Sequence, residues 1–127
     1  MAMDEETLGI YLEEGYELLE KMGAGLEILS HNSSDQEAIK SVFMVLHTLK
    51  GNTGFAGLDT VFDLFSAFTE FMRPVYNKTE TLSAEDIEKL GSFKEIIEKT
   101  LAKVKVGESW DANEVSGFLS SLNLKVP

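Results

Sequence analysis

Between residues 4 and 30, Leu8, Leu12, Gly15, Leu19, Met22, Leu26 and Leu29 follow one another at steps of 4, 3, 4, 3, 4 and 3. That spacing keeps one face of an α-helix turned toward a partner along its whole length. Such a helix has to bury its stripe against other helices, so this stretch commits the chain to a helical bundle. Tyr11, Tyr16 and Leu18 widen the stripe. Asp4, Glu5 and Glu6 stand at its start, where the positive end of the helix dipole favours carboxylates. Gly23 and Gly25 lie within the helix without ending it, and His31-Asn32-Ser33 is the turn that follows.

The rest of the chain repeats the helical period. Ser34-Asp35-Gln36-Glu37 has the spacing of a capping box and opens a second helix that runs to about Ala56, with Gly57 as its stop. Asp59 is the expected N-cap of a third. That helix is the most apolar, with Val61, Phe62, Leu64, Phe65, Ala67, Phe68, Phe71 and Met72, and is expected to be the most buried. Pro74 should kink it or end it within a turn, and Asn77 to Thr81 is a polar loop. Ser83 to Asp86 caps a fourth helix, with Leu82 stapling to Ile87. It carries Ile87, Leu90, Phe93, Ile97, Leu101 and Val104 and stops at Gly107. Asp111 to Glu114 repeats the cap with Trp110 stapling to Val115, before a short fifth helix that turns Val115, Phe118, Leu119 and Leu122 inward. No segment alternates as a strand. The expected fold is all-α, an up-and-down four-helix bundle with an additional short C-terminal helix, forming one domain over residues 1–127.

The second helix has two faces. Ile39, Val42, Leu46, Leu49 and Thr53 form a core stripe. His47, Lys50, Gly51 and Gly54, at i, i+3, i+4 and i+7, share another face turned to water. An imidazole, an ammonium and two missing side chains therefore lie together. Each helix-interior glycine costs about 1 kcal/mol relative to alanine, so a gap beside His47 is the expected return. A histidine alone on a helix is usually just a surface residue; Lys50 and Gly51 change that reading. A phosphoryl group carries negative charge over its oxygens, and an ammonium one turn away stabilises its transfer. A glycine at the next position removes the Cβ that would obstruct an incoming acyl phosphate. Phe43 and Met44, one turn before His47, are either core packing or part of a docking surface; with Gly54 they make up the candidate docking set. His31 has no acidic or cysteine companion at ligand spacing and is read as solvated.

Composition narrows the function. A formal net charge of −11 argues against nucleic acid, which needs clustered Lys and Arg. No apolar run has membrane length and no signal-peptide pattern is present, so no membrane association and a cytoplasmic location are expected. With no cysteine and 2 histidines, the chain has too few ligands or bases for a metal or hydrolytic enzyme. No P-loop or glycine-rich nucleotide lid occurs. No cofactor and no metal are expected.

The run His47-Thr48-Leu49-Lys50-Gly51-Asn52, followed by Phe55 and Gly57-Leu58, resembles the histidine phosphotransfer (HPt) family, whose hallmark is His-x-x-Lys-Gly on the second helix of a bundle. This form of it is similar to the phosphoacceptor domains at the N-termini of chemotaxis-type histidine kinases. The motif covers roughly residues 42 to 72, and the helix pattern extends the likeness over most of the chain. The resemblance implies a phosphocarrier of a two-component phosphorelay. His47 would be the phosphoacceptor, assisted by Lys50, with Gly51 giving clearance. A response-regulator receiver domain and a histidine kinase catalytic domain would be the partners. One feature departs from the chemotaxis group. Its third helix carries a His and a Glu nineteen and twenty-two residues after the phosphoacceptor, the Glu bonding the imidazole; here those positions are Ser66 and Thr69. Glu70 follows, but about 100° further round the helix it is not expected to face His47. The alternative is a helical interaction domain that has lost phosphotransfer along with that carboxylate.

Overall fold

A computed structural model describes residues 3–125; residues 1–2 and 126–127, the ends of the expected domain, lie outside the described residues. The chain forms α1 (Glu5–His31), α2 (Gln36–Phe55), α3 (Asp59–Tyr76), α4 (Ala84–Lys105) and α5 (Ala112–Ser121), with no strand among the described residues. The first four run up and down in sequence order around one core, and α5 packs on α3. α2 lies against both α1 and α3, and α1 closes the bundle on α4.

Two of the expected caps sit elsewhere. α2 is capped by Asp35, whose carboxylate accepts from the Ala38 N–H at 2.9 Å. A carboxylate is a stronger acceptor for that N–H than the Ser34 hydroxyl one residue earlier. Asp59 is the first residue of α3, not its cap; the cap position is Leu58, which offers no side-chain hydrogen bond. The turn before it explains the shift. Gly57 adopts φ +78°, and Gly57 N–H and Leu58 N–H bond back to Gly54 and Thr53 carbonyls. This Schellman turn drives the buried Leu58 straight into the next helix. The capping boxes at Ser83/Asp86 and Asp111/Glu114 form as expected, and α3 ends within a turn of Pro74.

The core is aromatic on one side and close-packed on the other. Phe65, Phe68 and Phe93 are fully buried. Phe68 and Phe93 stack at 4.1 Å, so α3 and α4 meet through rings and not through their backbones. On the other side, α1 approaches its neighbours through glycines. A Cβ on Gly15 would lie 2.8 Å from Leu101 of α4, and one on Gly25 would lie 2.8 Å from Val42 of α2. Leu8, Leu12 and Leu26 are half-buried, while Tyr11 is buried outright. Tyr16 points to solvent, contrary to expectation, because it lies off the stripe that faces α2 and α4. Trp110 sets its ring edge-on to Phe118 and donates from Nε1 to Thr100 Oγ1 at 2.7 Å. Thr60 donates to the Trp110 carbonyl at 2.6 Å, which ties the α4–α5 turn to α3.

Candidate functional site

α2 is held rigidly along its length by Val42, Phe43, Val45, Leu46, Leu49 and Thr53, all buried. The same register leaves Met44, His47, Gly51 and Phe55 exposed. His47, Gly51 and Phe55 stand at i, i+4 and i+8 and form one line on the helix surface. His47 lies parallel to the Phe43 ring, centroids 6.2 Å apart at 16°. Phe43 in turn stacks on Tyr76 of α3 at 4.2 Å and 11°. The buried half of this column anchors the exposed imidazole.

Phe43 is therefore a platform under His47; only 5% exposed, it is no part of an open docking face. Met44, 42% exposed beside it, remains free for contact. A Cβ on Gly51 would meet no heavy atom within 4 Å, so the space beside His47 is open. Gly54 has a different reason. Its Cβ would lie 3.0 Å from the Phe62 ring of α3, and the missing side chain lets that ring close against α2. The Lys50 ammonium sits 5.7 Å above the same Phe62 ring, which turns this cation toward α3.

Two contacts fix the register of the antiparallel pair α2/α3: Gly54 with Phe62, and Phe43 with Arg73. Counting one turn inward from the second puts Thr69 and Glu70 level with His47. Thr69 is fully buried, and its hydroxyl donates to the Phe65 carbonyl at 2.8 Å. Ser66, level with Lys50, is buried with its hydroxyl unpaired among the described residues. Neither supplies a carboxylate to the imidazole. Glu70 is exposed and makes no hydrogen bond to His47; its carboxylate pairs with Arg73 of its own helix. Hydrogen bonds from Arg73 hold its carboxyl below the usual carboxylate range, with a further contribution from the charge of Lys50. Sequence reasoning missed Arg73 and Tyr76. Both belong to α3, and only the interhelical register brings them to α2.

Two further features lie around this line. A groove of about 140 Å³ runs between α1 and α2 beside Phe55, which is 91% exposed; Ile10, Glu14 and Asn52 also line it. Phe55 and its i+8 spacing from His47 were legible in the sequence. At the groove, Asn52 donates to Glu14 at 3.0 Å, and Tyr11 shares a hydrogen bond of 2.8 Å with Thr53. Burial pushes the Tyr11 phenol up, opposed by that bond. His31 is the last residue of α1 rather than a turn residue, and it has an acidic companion after all: Glu27, one turn back, at 3.2 Å. Both side chains are more than three-quarters exposed, so the pair is solvated. No three His, Cys, Asp or Glu side chains among the described residues converge as metal ligands.

The family model described as "Hpt domain" matches residues 6–105, which takes in the whole four-helix frame and the His47 motif. The chain belongs to the Hpt domain family. Among curated proteins it is similar to the sensor histidine kinase CheAY of Helicobacter pylori, 31% identical over 74 residues. That match takes in 58% of this chain but 9% of the kinase, so this Hpt domain corresponds to a small part of its relative. Among solved structures it resembles the CheA phosphotransferase domain from Thermotoga maritima, with a TM-score of 0.73, 26% identity, and coverage of 78% of this chain and 94% of that one. The solution structure of the histidine phosphotransfer domain of CheA gives a TM-score of 0.80 at 25% identity, covering 98% and 96%. The phosphorylated P1 domain of CheA3, solved in complex with CheY6 from R. sphaeroides, shares the fold at a TM-score of 0.84 and 19% identity, covering 94% of each chain.

Proposed function

We propose that His47 accepts a phosphoryl group and passes it to or from an aspartate of a response-regulator receiver domain, with Lys50 and Gly51 assisting. The carrying observation is the exposed imidazole on a helix anchored in the core, with open space over Gly51. A receiver aspartyl phosphate can approach over that gap. The lone pair of one ring nitrogen forms the P–N bond as the P–O bond to the aspartyl carboxylate breaks. The carboxylate leaves with the electron pair, and the ring proton stays on the other nitrogen. Lys50 lowers the cost of charge on the transferring oxygens. Met44 and Phe55, on either side of His47 along α2, are suited to the receiver contact. Phe55 lies about 12 Å along the helix from His47 at 1.5 Å per residue, well within the footprint of an ordinary interface of about 800 Å² per partner. The structures this chain resembles include a CheA phosphotransferase domain and a phosphorylated P1 domain in complex with CheY6, which supports a receiver partner.

The finer parts of the reading follow from the same likeness: a histidine kinase catalytic domain as phosphoryl source, a cytoplasmic location, and one domain spanning the chain. No helix among the described residues is long and apolar enough to cross a membrane. Incubation with a phosphorylated receiver should give acid-labile, alkali-stable phosphohistidine, and His47→Gln should abolish it. Phosphorylation of that variant at the parental level would move the site elsewhere, most simply to His31. The second reading, an interaction bundle without phosphotransfer, draws on Thr69 occupying the carboxylate position with its hydroxyl already committed to Phe65. It predicts no phosphohistidine in either protein.

A further inference from the structure

Against a net charge of −11 the chain carries one arginine, Arg73, and it stands on α3, the helix packed against the α2 face that bears the candidate phosphoacceptor. Its guanidinium carbon is 5.3 Å from the centre of the Phe43 ring, the same ring that carries His47. Side chains on a helix lean toward its N-terminus. Arg73 accordingly leans back from the level of Phe43 toward that of His47. There Nε and Nη2 donate to the two Glu70 oxygens at 3.0 to 3.1 Å. Lys50, next along the α2 face from His47, acts on the same carboxylate from the other helix. Glu70 thus binds Arg73 directly and feels the charge of Lys50.

We propose that Arg73 is a second phosphoryl ligand of this site, held by Glu70 while His47 is bare and transferred to the phosphoryl oxygens once His47 carries them. This rests on the phosphotransfer reading of His47. The physical ground is competition for one guanidinium. Glu70 offers a single negative charge from an exposed position, 51% accessible. A phosphoryl group offers up to two charges and three acceptor oxygens in a geometry that suits the planar fork. Lys50 alone balances one of those charges, and Arg73 balances the other. Glu70 keeps the fork ordered and close at hand, so little rotamer freedom is lost when it moves.

Because the chain has a single arginine, a proton–nitrogen spectrum contains one Nε–H signal, and its position reports which acceptor the guanidinium holds. The whole protein is phosphorylated with potassium phosphoramidate and followed by phosphorus NMR, with His47→Gln as the blank. The Arg73 signal should move as phosphohistidine forms, return as it hydrolyses, and stay fixed in the blank. Glu70→Gln should move it without any phosphoryl group. Arg73→Gln should leave His47 phosphorylatable but slow acceptance about three- to tenfold, the worth of one partly exposed charge-assisted bond; Arg73→Lys should recover part of the rate. Both exchanged side chains are 40% exposed or more, so the fold should persist, and far-ultraviolet circular dichroism checks this. An Arg73 signal that does not move in phosphorylated protein, or parental acceptance in Arg73→Gln, overturns the proposal and leaves the His47 reading standing. Absence of phosphohistidine with phosphoramidate and with a phosphorylated receiver overturns both.

Discussion

In a Gly51→Gln variant the new side chain projects from the exposed face of α2, one turn beyond His47. A Cβ there meets nothing within 4 Å, and the backbone is not in the left-handed region, so packing offers no resistance. Helix propensity then acts alone. Glutamine should stabilise the domain by about 0.5 kcal/mol and alanine by about 1 kcal/mol. For a domain of this size those values raise the melting temperature by about 2 and 4 °C. Transfer should move the other way. The glutamine amide covers the approach to the imidazole, and misplacing the reacting groups by about 1 Å costs on the order of 10²-fold. That loss equals about 2.7 kcal/mol of barrier. Thermal unfolding by circular dichroism gives the first quantity, and the transfer rate from a phosphorylated receiver gives the second. Phosphoramidate serves as a small-donor control, because it needs far less clearance and should be slowed much less. Destabilisation in Gly51→Ala would refute the open-space geometry. An equal loss with both donors, or no loss with the receiver, would refute the clearance argument and leave the glycine without a reason.

Lys50→Ala should slow transfer from a receiver without abolishing it, and the gap from the parent should narrow at high salt as the charge effect is screened; an identical rate at low salt would remove Lys50 from the mechanism. Gly54→Ala, unlike Gly51→Ala, should fail to stabilise: its Cβ would lie 3.0 Å from Phe62, so overpacking of about 1–3 kcal/mol meets a propensity gain of about 1 kcal/mol. Urea titration of the two variants side by side tests that contrast. The raised Tyr11 phenol gives a pH dependence with a definite sign. A group whose folded pKa is raised contributes fully below the unfolded value of 10.0 and loses its contribution as pH climbs through the folded one. Tyr11→Phe should therefore cost about 1 kcal/mol at pH 7 through the lost Thr53 bond and then lose less stability than the parent above pH 10. Denaturant midpoints from pH 7 to 11 would show parallel curves if that were wrong.

Much of this protein was written locally. The step of the α1 leucines, the capping boxes at Ser83 and Asp111, and the stops at Gly57 and Gly107 depend on neighbours within a turn, so sequence alone placed the helices and their order. The same locality put His47, Lys50 and Gly51 on one face, because residues three and four apart must share it. The start of α2 was less legible: Ser34 has the capping-box spacing, and the folded turn gives the cap to Asp35.

What separates helices in space was not written there. Which side chain each glycine makes room for, Val42 at Gly25, Phe62 at Gly54 and Leu101 at Gly15, is decided only when the partner helix is present. Phe43 could be core or surface on its own pattern, and Tyr76 from α3 settles it as a stacked platform. Glu70 is exposed on its own helix, and nothing in α3 alone says that Lys50 of α2 acts on it or that Arg73 lies over Phe43. Sequence periodicity sets which face of a helix is buried. The sliding and rotation of one helix against another are set by the sum of many side-chain contacts, and no single spacing in the chain encodes that sum.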